Sequence, residues 1–379
     1  MRFELTEDQQ LIRDAARRLA DTEIKPGAAA RDKSCEFPLA PMKALAQNGF
    51  LAMLVPEAHG GSGASSVAYA LALSEVARAC ASTAVTMAVT NMVADAIDHF
   101  GNDEQRSRYI PRLANGDSTA GAFALSEPGA GSDAASLTLR AEKRSGRYAL
   151  TGSKCWITSG DRAGVVLVMA RTGGPGARGI SAFLVRPDAK GFSVGKHEEK
   201  MGLRASSTVT LSFDDVEVPE EDRLGDEGVG FKIAMRALDG GRIGIGAQAN
   251  GIHLACLEAA RTYALDRKQF GRPIAEFQAM QWKLADMATS FDAARLLVLR
   301  AASLKDSGQP FTREASMAKV FSTEAANKAA LEAIQIHGGY GYTGEFPVER
   351  YLRDVRVSMI YEGTSEIQRV VLARQLLAT

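Results

Sequence analysis

The sequence predicts an α+β multidomain protein in three consecutive parts. An N-terminal all-α domain covers residues 1–118, a middle antiparallel β-barrel or sandwich covers 119–228, and a C-terminal four-helix bundle covers 229–379. Three observations carry this. Apolar residues recur at helical spacing as far as about Phe100. From about Thr119 to Val218, alternation and β-branched residues replace that pattern, with no helices between the strands, unlike a Rossmann sheet. Long, sparsely broken amphipathic stretches joined by short loops then return after Gly230.

In the first part Thr6 and Gln9 form a capping box ahead of Leu11, Ile12, Ala15, Ala16 and Leu19. A second helix is expected from Leu39 to Asn48, a loop from Pro56 to Ser62, and helices over Ser66–Cys80, Ser82–Phe100 and Asp103–Asn115. In the second part Gly164–Ala170 and Ile180–Val185 read as strands on either side of the turn-rich Thr172–Gly176. Thr208–Phe213 alternates at period two. The third part predicts helices over roughly Val229–Asp266, Ile274–Ser307 and Arg313–His337, with a short one starting near Ser365.

Composition excludes several functions. Lys plus Arg and Asp plus Glu number 45 each, so no basic excess favours nucleic acid or an anionic membrane. Cys35, Cys80, Cys155 and Cys256 are widely separated and read as reduced, mostly buried thiols, while the five histidines form no metal-ligand pattern. The start, Met1-Arg2-Phe3-Glu4, lacks a basic-then-apolar signal region, and no apolar run approaches a membrane span. The compositional expectation is a cytoplasmic enzyme or binding protein, with any anionic ligand met by a few placed cations.

The most informative segment is Tyr361-Glu362-Gly363-Thr364-Ser365. Thr364 or Ser365 is an ordinary N-cap, and an acid near a helix start is favoured by the dipole. Apolar Met359-Ile360-Tyr361 leading straight into Glu362 is not ordinary. That context desolvates the carboxylate, raises its pKa and makes a usable base; a capping acid on a surface turn is the plainer alternative.

Four further segments carry chemistry. Ala124–Asp133 joins a strand to a loop of small residues and hydroxyls suited to an anionic or carbonyl-rich ligand. Trp156 and Thr158 share a strand face by period two; together they fit a flat heteroaromatic ligand, and Trp156 alone fits a core. Arg267–Gly271 and Gln335–Tyr342 supply a cation and glycines for a pyrophosphate, although Gly338 and Gly339 also fit a helix C-cap. There is neither a GxGxxG after a strand nor a Walker loop, so no Rossmann or P-loop device holds a dinucleotide. Asp239 and Arg242 share a helix face around Gly240-Gly241, glycines that cost about 1 kcal/mol each relative to alanine. Close approach of a ligand or a neighbouring helix is sufficient reason to keep them.

Together these segments resemble the acyl-CoA dehydrogenase family over nearly the whole chain and in order. Its signatures match Ala124–Ser136 and Gln335–Asp354, with Gly338, Gly339, Gly341, Glu345, Arg350 and Asp354 in place. The likeness is to short-chain and short-branched-chain members, notably through Met235–Gly246 and Arg350–Arg369. It implies a homotetramer, a dimer of dimers, with FAD between the β domain and the bundle. By position it implies that Phe123, Leu125, Ser126, Gly131 and Ser132 contact flavin or substrate, and that Trp156, Ile157 and Thr158 lie against the isoalloxazine ring. Arg267, Gln269, Phe270, Gln278 and Gln335, Ile336, His337, Gly338 and Gly339 are implied to reach a neighbouring subunit's FAD, with Thr364 and Glu366 contacting FAD near the base. Asp239 and Arg242 match positions that meet the CoA moiety, and Tyr361 and Gly363 lie along the thioester and acyl group.

Glu362 matches the family's catalytic base. Relatives that carry the base on the long bundle helix do so at the position of Gly241, and glycine there leaves a single site for it. The resemblance implies α,β-dehydrogenation of a short or short-branched acyl-CoA to the trans-2-enoyl-CoA. Glu362 removes the pro-R α-proton, flavin N5 takes the β-hydride, and electrons pass to an electron-transferring flavoprotein. A same-fold oxidase or monooxygenase, a carrier-protein thioester dehydrogenase, and a non-catalytic scaffold are the alternatives. Chain length, branching and pathway (fatty-acid or branched amino-acid breakdown, or secondary metabolism) stay open.

Overall fold

The computed structural model describes residues 4–378; Thr379 and Met1–Phe3, on which part of the leader reading rests, lie outside the described residues. The N-terminal part holds α1 (Glu7–Leu19), α2 (Ala28–Ser34), α3 (Leu39–Gln47), α4 (Ser66–Ala79), α5 (Ala81–Phe100) and α6 (Asp103–Ala114). The Thr6–Gln9 capping box is present at α1, and an equivalent box, Asn102 with Gln105, starts α6. Gln105 does more than cap, because its Nε2 also donates to Glu221 O at 2.7 Å and Arg223 O at 2.9 Å. With Tyr109 donating to the buried Asp222 at 2.9 Å, it ties α6 to the middle part.

The middle part is a sheet of β1 (Ala120–Ala124), β2 (Arg140–Arg144), β3 (Arg147–Thr158), β4 (Ala163–Arg171), β5 (Ile180–Val185), β6 (Phe192–His197), β7 (Thr208–Pro219) and β8 (Arg223–Leu224). Its order is β6-β7-β3-β2-β4-β5-β8, with β1 also on β4. The antiparallel expectation needs one correction. β1 runs parallel to β4 from Ala120↔Ala163 to Ala124↔Val168, and β2 meets β4 in parallel at Arg140↔Arg171, so the sheet is mixed. A parallel pair needs a long crossover, and the β2–β3 hairpin supplies it. β4 is apolar almost throughout because both its faces are covered: Val165, Leu167 and Met169 face the helices, while Val166, Val168 and Ala170 face the sheet's own core.

The C-terminal part holds α7 (Gly230–Asp266), a small hairpin of β9 (Lys268–Gln269) and β10 (Arg272–Pro273), then α8 (Gln278–Asp306), α9 (Thr312–His337), α10 (Gly339–Tyr342), α11 (Val348–Arg356) and α12 (Ser365–Leu377). α7, α8 and α9 pack on one another, α11 and α12 pack on α9, and α4 of the first part lies along α7. Among the described residues no helix is long and apolar enough to cross a membrane. Cys80, Cys155 and Cys256 are buried and Cys35 is exposed.

The α4–α7 contact depends on a helical glycine. A Cβ at Gly251 would lie 2.7 Å from Ala77 Cβ and 2.9 Å from Arg78 N, and closer still to Ser74 O. Backbone cannot give way as a side-chain end does, so Gly251→Ala is expected to destabilise the fold by roughly 1–3 kcal/mol, read as a lowered thermal midpoint.

Candidate active site

Glu362 sits between the end of α11 and the start of α12, in a backbone conformation that few side-chain-bearing residues adopt: its φ is +52°, followed by Gly363 at +87°. Thr364 proves to be the N-cap, its Oγ1 accepting from Ile367 N at 3.3 Å. With the cap made by Thr364, Glu362 has no capping to do. The Gly363 carbonyl is held from behind by the buried Lys319 Nζ at 2.5 Å and by Gln368 Nε2 at 3.0 Å, and Gln368 also reaches Glu362 O at 3.3 Å. The two left-handed residues turn the carboxylate towards α7.

The space it enters is left by Gly241. A Cβ there would lie 3.1 Å from Glu362 Cδ and 3.2 Å from Met92 Sδ, and nearer still to Glu362 Oε2. Glu362 Oε2 is out of reach of solvent and has no hydrogen-bond partner among the described residues. The Glu362 amide likewise has no acceptor among the described residues. Burial pushes the Glu362 pKa up to about 7, with Lys319 and Arg242 pulling the other way. Arg242 is buried on α7 and pairs with Asp239 at 2.5 Å, and Asp239 also accepts from Thr312 at 2.7 Å, so this pair lies inside the protein and not in solvent. Tyr361 donates to Gln248, and burial holds its hydroxyl far above its ordinary pKa.

The Ser126–Ser132 loop is anchored by a second buried acid. Lys154, fully buried on β3, donates to Glu127 Oε1 at 2.8 Å and to Leu125 O at 2.9 Å. Glu127 also accepts from Thr138 N and Oγ1 and from Leu139 N. Burial raises the Glu127 pKa, and the ammonium and amide donors outweigh it, leaving the carboxyl below its usual range. Thus pinned, the loop presents a half-buried Ser126 and exposed Gly131 and Ser132, while Leu125 and the partly buried Phe123 pack inward. Among the described residues, none but the chain neighbours lies within 4 Å of where a Cβ would stand on Gly129 or Gly131.

On β3 a bulge between Lys154 and Ile157 puts Trp156 at φ +57°. Its indole is 61% exposed, which removes the core reading; Ile157 is the core residue, and Thr158 is half-buried beyond it. A second group forms a groove of 670 Å³ whose lining includes Arg267, Gln269, Phe270 and Gln335, with Gly338 and Gly339 at the α9 end. Phe270 is 94% exposed, and Gly338 takes φ +60° as the C-cap of α9. Ile336 and His337 form its buried floor, His337 stacking on Tyr263 at 4.3 Å. Gln278, at the start of α8, does not line this groove, nor do Trp156, Thr158 or the Ser126–Ser132 loop. Glu366 is exposed on the first turn of α12.

Lys319, Gln368, Met92 and Gln248 escaped the sequence reading. Lys319 lies on the buried stripe Ala315, Ala318, Ser322, Ala326 of α9, and a lone charge on such a stripe is the signal that marks it.

The family models "Acyl-CoA dehydrogenase" N-terminal, middle and C-terminal domain match residues 6–117, 122–216 and 228–377. The chain belongs to the acyl-CoA dehydrogenase family. It is 50% identical over 98% of its length to an acyl-CoA dehydrogenase of Bacillus subtilis, covering 99% of that protein. It is 48% identical over 99% of its length to the mitochondrial short-chain specific acyl-CoA dehydrogenase of Mus musculus, covering 91% of that protein. Among solved structures, butyryl-CoA dehydrogenase from Megasphaera elsdenii superposes with a TM-score of 0.97 at 41% identity, covering all of both chains. A glutaryl-CoA dehydrogenase of Mycobacterium smegmatis in complex with FADH2 superposes with a TM-score of 0.93 at 30% identity, covering 99% of this chain and 96% of that one.

Removing Lys154 leaves Glu127 buried without its cation. Lys154→Met is expected to cost about 3–5 kcal/mol in a denaturant melt and to loosen the Ser126–Ser132 loop. Faster amide exchange at 126–139 is the local readout.

Proposed function

We propose that the protein is an FAD-dependent dehydrogenase of short or short-branched acyl-CoA thioesters, with Glu362 as the base that removes the α-proton. The observation that carries this is the unpartnered Glu362 Oε2, shielded from water in the space left by Gly241. A structural acid uses its lone pairs, as Glu127 does. An acid with one oxygen left free, raised to about 7, is poised to take a proton near neutral pH.

The residues fit FAD. The protruding Trp156 indole beside Thr158 offers a flat surface for the ring system, and the open backbone at Gly129 and Gly131 with the Ser126 and Ser132 hydroxyls suits polar ring edges and phosphates. Arg267 with the uncrowded Gly338 and Gly339 suits the far end of the dinucleotide. When bound, FAD supplies the acceptor for the substrate's β-hydrogen and its electron pair. The Arg267 groove is lined by none of the Trp156-side residues, which favours each groove serving a neighbouring subunit in a homotetramer. An electron-transferring flavoprotein as the acceptor and a cytoplasmic setting belong to the same reading.

In this reading the chain's own residues do the following. Arg242, braced by Asp239, lies near the base and offers a cation towards the CoA portion. Tyr361, tied to Gln248, and Gly363 border the acyl group. The Glu362 amide, free of an internal acceptor, donates to the thioester oxygen and stabilises the enolate that develops as the α-proton leaves. Glu362 then holds the proton at Oε2, away from water.

The test is spectroscopic. Purified protein is expected to be yellow and to bleach anaerobically with butyryl-CoA or isobutyryl-CoA; flavin untouched by every acyl-CoA would overturn the assignment. Glu362→Gln is expected to keep the flavin and bind acyl-CoA yet lose reduction by at least about 10³-fold, in the upper part of the range for a lost general base. The base works deprotonated, so kcat/KM of the native enzyme should fall as pH drops through about 7 and level off above it.

A further inference from the structure

Lys319 is buried without exposed surface on α9. Its one hydrogen bond among the described residues goes to the Gly363 carbonyl, and no carboxylate among them comes within 4.0 Å of its ammonium. An ammonium is an expensive group to bury for one carbonyl, and a neutral amide serves that carbonyl already: Gln368 Nε2, equally buried, donates to it at 3.0 Å. The hydrogen bond alone therefore does not account for a lysine. What distinguishes Lys319 from Gln368 is its charge, and the residue it grips, Gly363, directly follows the acid Glu362.

We propose that Lys319 is a positioning residue for the base, its buried ammonium fixing the carbonyl directly behind Glu362 and supplying the positive charge that keeps the Glu362 carboxylate ionised before substrate arrives. The inference rests on Glu362 being the base. The charge is set where it does not consume the working oxygen: a lysine in salt-bridge contact with Oε2 would block the proton's destination, whereas one bound to the next carbonyl acts through space.

The other charged and titratable groups facing Glu362 are few. Arg242 on α7 adds a second cation, partly neutralised by Asp239. Tyr69 on α4 and Tyr361 stay protonated, burial raising both far above their ordinary range. Asp95 on α5 faces Tyr69 and pairs with Lys305, and Glu366 on α12 faces Lys319 from the exposed side. Burial opposes the ammonium as well, lowering the Lys319 pKa to about 8, and Glu362 opposes that fall. Burial thus opposes both charges, and base and lysine each favour the charged form of the other.

The experiment compares flavin-loaded wild type, Lys319→Met, Lys319→Gln and Lys319→Arg. The first readout is kcat/KM for butyryl-CoA against pH. The second is the infrared carboxyl band of resting enzyme titrated with pH and identified by its absence from Glu362→Gln. Met and Gln are expected to move both the acid limb and the band titration to higher pH by about one unit or more, as loss of a nearby opposite charge requires. Arg is expected to keep both near wild type. Gln retains a donor for the Gly363 carbonyl, so a shift in Gln shared with Met assigns the effect to charge. Unmoved limbs and bands in Met and Gln would overturn the proposal. If Met fails to fold, the Gln–Arg pair decides by the same criterion. Near-normal turnover by Glu362→Gln would instead sink the reading of the base itself, whatever the lysine variants do.

Discussion

A carboxylate inside a protein seeks partners for its lone pairs, and a proton-abstracting carboxylate must keep one lone pair without a partner. These demands conflict, and under the role proposed for Glu362 the C-terminal part of this molecule meets both. The chain holds Glu362 by its backbone and leaves its side chain alone. Two consecutive left-handed residues, a Thr364 cap and two buried donors to the neighbouring carbonyls fix the segment from behind. On the other side α7 withdraws a side chain at Gly241, so Oε2 has room and, among the described residues, no donor. The positions of α7, α9 and α12 relative to one another all bear on that one oxygen.

The middle part shows the opposite treatment of a buried acid. Both Glu127 oxygens are engaged, by Lys154, Thr138 and the Leu139 amide, and its pKa is held down. Glu127 and Glu362 are both glutamates withdrawn from water, yet one has both oxygens engaged and the other keeps Oε2 without a partner among the described residues. Neighbouring donors make the difference, and so does strand geometry: the bulge that throws Trp156 outward leaves Lys154 and Ile157 pointing inward on either side of it.

Much of this was legible in the sequence. The long helices, the Thr6 capping box and the strands Ala163–Arg171 and Ile180–Val185 follow from periodicity and punctuation, since long periodic segments leave little ambiguity. The short α2 and α10 carry too few turns to show a period, and β2 and β6 lie among exposed residues. Strand direction is absent from period-two patterns, which is why the parallel β1–β4 pairing was not visible. Glu362 stood out by its apolar lead-in. Lys319 did not, because lysine on a helix reads as a solvated residue unless the stripe it interrupts is examined, and nothing local announces that Gln368 turns inward.

The parallel pairing of β1 bears on how the chain is made. β1 docks on the helical part, its Gly121 amide donating to Thr90 of α5 at 3.2 Å, yet its strand partner begins only at Ala163. During synthesis the helical part emerges first and must carry an apolar strand with an unsatisfied edge until β2, β3 and β4 have left the ribosome. The junction of the first two parts is therefore one place where a strand edge waits on later synthesis, as β3 waits for β7.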